Sequence, residues 1–70
     1  MISLLVTLFI ANTGETLSSG SDMKFESVEQ CESFVLMLTE GSPYYRNDEG
    51  LLIVTETSTG NVITVKCYEE

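Results

Sequence analysis

The stretch ISLLVTLFIA at residues 2–11 constrains the fold more than any other part of the chain, because so apolar a run has to be covered. Alternate positions gather Ile2, Leu4, Val6, Leu8 and Ile10 on one side and Ser3, Leu5, Thr7, Phe9 and Ala11 on the other. A strand has this period of two, and with one face wholly apolar and the other nearly so it reads as an interior strand packed beneath a helix. Two other fates of an apolar run fit less well. No Lys or Arg follows Met1 to make the basic region of an export signal. The run is also far short of the ~20 apolar residues that a membrane-spanning helix needs. The expectation is a folded first strand, no membrane role and a cytoplasmic protein.

Only 70 residues are available to cover that strand, so the chain is expected to form a single small domain, 1–70, with a thin core. The best cover lies in FESVEQCESFVLMLTEG at residues 25–41. Ser27 and Gln30 have the spacing of a capping box, Glu29 and Glu32 lie near the positive end of the helix dipole, and Gly41 with Pro43 supplies a stop. On a helical projection Val28, Cys31, Phe34, Val35 and Leu38 fall in one arc of about 120°, an ordinary core stripe. Glu29, Glu32, Ser33 and Glu40 lie on the other side, and two apolar residues break the pattern by falling among them, Leu36 and Met37.

The remaining segments read as strands and turns. LLIVTET and NVITVKCYE form a hairpin through STGN at 58–61, with Ile63, Val65 and Cys67 facing the helix. NTGET is a turn, LSSGSD a flexible stretch with only a weak strand at 15–18, and SPYYRNDEG a surface loop. The expected fold is α+β in the order β-α-β-β, one amphipathic helix packed on a small, mainly antiparallel sheet.

Cys31 on the inward arc of the helix and Cys67 on the inward face of the last strand are expected to lie close together. Either they form a disulfide, or both are small buried thiols in a reducing cytoplasm. A redox motif is missing, since there is no C-x-x-C. With two cysteines and no histidine, the ligands of a structural zinc site are also missing, and no metal or cofactor is expected. The sequence offers no catalytic residue: the commonest general base is absent, no glycine-rich loop ends in Lys, and NDEG at 47–50 lacks the ligand series of a calcium loop. The protein is therefore expected not to be an enzyme.

The helix segment Phe25-x-Ser27-x-x-x-Cys31, followed by the terminal strand with Cys67, resembles a pattern in short uncharacterised proteins of bacteriophages and some bacteria. The resemblance implies a compact α+β fold and a viral origin, hence a host-cell cytoplasm. It brings no activity and no ligand residue.

Charge completes the functional reading. Eleven acids against Lys24, Arg46 and Lys66 give a formal charge of −8, which repels phosphates and anionic lipid and excludes direct nucleic-acid or membrane-surface binding. A basic face on another protein is approached with electrostatic help. The expected function is a non-catalytic acidic protein-binding module, such as a phage accessory protein that inhibits or modulates a host protein. Its binding residues are Leu36 and Met37 as apolar anchors within a rim of Glu29, Glu32 and Glu40. Two alternatives stand beside it. One is a virion component or homodimer joined through Leu5, Phe9, Leu52 and Val54; the other is a nucleic-acid mimic.

Overall fold

The computed structural model describes residues 1–69. The elements run β1 (Ile2–Ile10), β2 (Glu15–Phe25), α1 (Val28–Leu38), β3 (Tyr44–Arg46), β4 (Leu52–Thr55) and β5 (Val62–Glu69). One helix lies on a five-stranded antiparallel sheet of order β2-β1-β5-β4-β3, a small α+β fold.

The apolar run forms β1, an interior strand flanked by β2 and β5. Its register settles which residues share each face, because side chains directly opposite one another lie on the same side of a sheet. Leu4 lies opposite Cys67, Val6 opposite Val65 and Leu8 opposite Ile63. This is the helix side, and Ile2, Leu4, Phe25, Cys31, Val35, Leu52, Val54 and Val65 form its buried core. In β5 the alternation holds as the sequence suggests, with Val65 buried, Ile63 packed on the core and Cys67 bonded to the helix.

Two elements go beyond the sequence reading. Residues 15–25, expected as a short strand followed by a flexible stretch, are one strand of 11 residues. Ser and Gly have little strand preference of their own, but the open edge of β1 supplies pairing along its length, and tertiary pairing overrides propensity. Tyr44, Tyr45 and Arg46, expected in a loop, pair with Val54, Ile53 and Leu52 as β3. The order is thus β-β-α-β-β-β, with one strand more on each side of the helix than expected.

The outward set proposed for a homodimer is corrected as well. Leu52 and Val54 lie opposite Val65 and Ile63, on the helix side, and are buried; Ile53, between them, faces outward. Leu5 and Phe9 do lie on the outward face, where Phe9 is exposed.

Turns close where positive φ is supplied. Gly14 at φ 75° ends the β1–β2 hairpin, with its N–H donating to Ile10 O at 2.8 Å. In the NDEG turn, Asn47 Oδ1 accepts from the backbone N–H groups of Glu49 at 3.0 Å and Leu51 at 2.9 Å. That side-chain mimicry of a backbone turn is the ordinary role of Asn in such a loop.

Candidate functional site

The helix is built as its sequence indicates. Ser27 takes extended backbone angles, and its Oγ accepts from the Gln30 N–H at 3.2 Å. Gln30 reaches back, its Oε1 accepting from the Glu26 N–H at 3.1 Å, one residue before the usual capping-box partner. Helix α1 closes at Leu38, earlier than Gly41: the Thr39 N–H and Oγ both donate to Val35 O at 3.0 Å.

Cys31 is fully buried and bonded to Cys67, with Cα atoms 6.2 Å apart, which ties α1 to β5 next to β1. The two thiols that the sequence left either bonded or merely adjacent form a disulfide. Phe34 packs its ring on Phe25 of β2, with centroids 5.6 Å apart.

The core stripe is narrower than the helical projection suggests. Cys31 and Val35 are buried, but Val28 and Leu38 are exposed. Both lie at the ends of a helix only about 16 Å long, where the sheet no longer covers them.

The five expected binding residues separate. Leu36 is half-buried and packed on the core, so it is not a free anchor. Glu32 is engaged inside the molecule: Arg46 of β3 donates from Nη2 to Glu32 Oε1 at 2.7 Å and from Nη1 to Oε2 at 2.9 Å. This fork holds the guanidinium pKa above its usual range, through the hydrogen bond and the carboxylate charge. Arg46 Nη1 also donates to Gly50 O at 2.6 Å, which joins helix, β3 and the NDEG turn. The flank carrying Glu32, with Leu36 one turn on, therefore faces the β3 edge that the sequence did not announce.

Met37, by contrast, is 64% exposed, and Glu29 and Glu40 are exposed. Met37 and Glu29 border a shallow groove of about 550 Å³ completed by Ser27, Gln30, Ser33 and Phe34. An apolar floor of Phe34 and Met37 is thus bordered by hydroxyl and amide groups and one carboxylate. Ser27, Gln30, Ser33 and Phe34 were missed as groove residues because capping and core packing already explained three of them.

Charge divides between the two sides of the molecule. On the sheet face away from the helix, Lys24 lies opposite Ser3 and donates to its Oγ at 2.9 Å, and Lys66 lies opposite Leu5, its ammonium 5.8 Å from the Tyr68 ring centre. Glu26, Glu29, Glu32 and Glu40 belong to the helix and its flanks. Among the described residues no three Cys, Asp or Glu side chains converge as a metal site would need, and no helix is long and apolar enough to cross a membrane. No known family model, curated protein or solved structure matches the chain.

Proposed function

We propose that this protein is a non-catalytic binding module that docks through the exposed flank of α1 on a basic and apolar surface of another protein. The observation that carries this reading is the groove itself. Phe34 and exposed Met37 form its apolar floor with Glu29 at the border, on the more acidic side of a molecule of charge −8. Apolar anchors surrounded by polar groups are the usual anatomy of a protein-binding patch. The acids give direction to encounter, since a basic partner is steered to the helix side and away from the face bearing Lys24 and Lys66. A factor that modulates a host protein in the cytoplasm is the form of this role that agrees with the resemblance to short phage proteins.

The test is comparative capture from a bacterial lysate with wild type, Met37→Asp and Glu29→Lys. Met37→Asp should lose the captured protein, and Glu29→Lys should weaken capture and reduce its dependence on salt. Equal capture by all three proteins contradicts the reading.

A further inference from the structure

The two edges of the sheet are unequal: β3 offers three residues, whereas β2 offers 11. Among the described residues no strand pairs with the outer edge of β2. An antiparallel strand directs alternate backbone N–H and C=O groups to either side, so this edge presents a row of groups able to receive another strand.

The halves of β2 differ in how they present that edge. Toward its end the register slips, with Lys24 opposite Ser3 but Gly20 opposite Leu5, and Asp22 and Lys24 add charge. Bulges and charges are the common means of blunting an edge. Residues 15–20 instead pair without interruption against residues 5–10, contain no proline, and carry charge only at Glu15. In this half Leu17 is 52% exposed on the helix side of the sheet, opposite half-buried Leu8.

We propose that this half of β2 is the seam of a homodimer, pairing antiparallel with β2 of a second copy to make a continuous ten-stranded sheet. A two-fold axis normal to the sheet keeps each face continuous, so residues opposite one another must come from the same face. One such register places Leu17 opposite the partner's Leu17, Thr16 opposite Ser18, and Glu15 opposite Ser19. No like charges meet in it, and Leu17 and Leu8 of both copies form one apolar cluster. On the other face the hydroxyl contact of Thr7 with Ser18, at 3.3 Å, extends to the partner's Thr16. A second copy fits this seam better than a basic peptide, because Glu15 is the only charged residue among 15–20. The seam is half of one strand from each copy, so the dimer is expected only at high concentration.

Sedimentation equilibrium from about 10 μM to 1 mM, with amide hydrogen exchange at both ends, tests this. Wild type should pass from monomer to dimer, with exchange slowing at residues 16–20. Leu17→Lys sets two ammonium groups face to face and should remain monomeric, while Met37→Asp should dimerise like wild type, which separates this seam from the helix groove. A monomer at 1 mM, a dimer that survives Leu17→Lys, or a dimer lost in Met37→Asp overturns the proposal. Should Leu17→Lys fail to fold, the exchange pattern of wild type decides, since a dimer without slowing at 16–20 is made elsewhere.

Discussion

Leu36 and Met37 are neighbours in sequence with opposite roles, and the difference lies in what each flank of the helix meets. Leu36 packs on the core along the flank that Glu32 and Arg46 fasten to β3, whereas Met37 is exposed at the groove. An aspartate at position 36 forces a carboxylate into apolar surroundings and removes a packed side chain, so Leu36→Asp should cost roughly 2–4 kcal/mol. Met37→Asp exchanges one exposed side chain for another and should change stability by no more than about 0.5 kcal/mol. Urea unfolding of the two variants checks both; equal losses would mean that the flanks are not distinct. A helical projection shows angles but not what lies opposite them. Without β3 in view, Leu36 and Glu32 looked solvent-facing, and Glu29 and Met37 alone of the five expected residues border the groove.

Among the elements, those with their own chemical signature were legible. Alternation announced β1 and β5, and Ser27 with Gln30 announced the start of α1. Replacing Ser27 with Ala leaves the Gln30 N–H without its side-chain acceptor, and should lower stability by about 1 kcal/mol, measured by thermal or denaturant unfolding. No change would mean that water caps the helix equally well. β3 was not legible and β2 only as a weak strand at 15–18, because what makes them strands lies in their neighbours. The backbone of ETLSSGSDMKF is held by β1, and YYR is held by β4 and by Arg46 gripping Glu32. With only a weak strand legible at 15–18 and none at 44–46, neither the shielding of one helix flank nor the long open edge of the sheet shows in the sequence.

At the scale of the whole molecule, a thin core is fastened by a covalent link and faced with unevenly distributed charge. The bridge from Cys31 to Cys67 closes a loop with a sequence separation of 36, worth ~4 kcal/mol in the chain-entropy model. For a domain of this size that is a large share of the ~5–15 kcal/mol that small proteins possess. The double variant Cys31→Ala with Cys67→Ala should therefore melt well below wild type and match reduced wild type. A melting temperature insensitive to reductant would show that the bridge adds little to the packing around it. Such bonds persist in oxidising surroundings, so in a reducing cytoplasm the same fold rests on packing alone. The charge distribution bears on function. On the function proposed above, a partner approaches the helix flank rather than the opposite sheet face. The most direct test is a photoreactive phenylalanine analogue placed at Ser33 in the groove or, separately, at Tyr68 on the far face, irradiated in lysate. A cross-linked partner is expected from position 33, suppressed by added salt and by Met37→Asp, and none from position 68. Cross-linking from position 68 alone would contradict the proposed function.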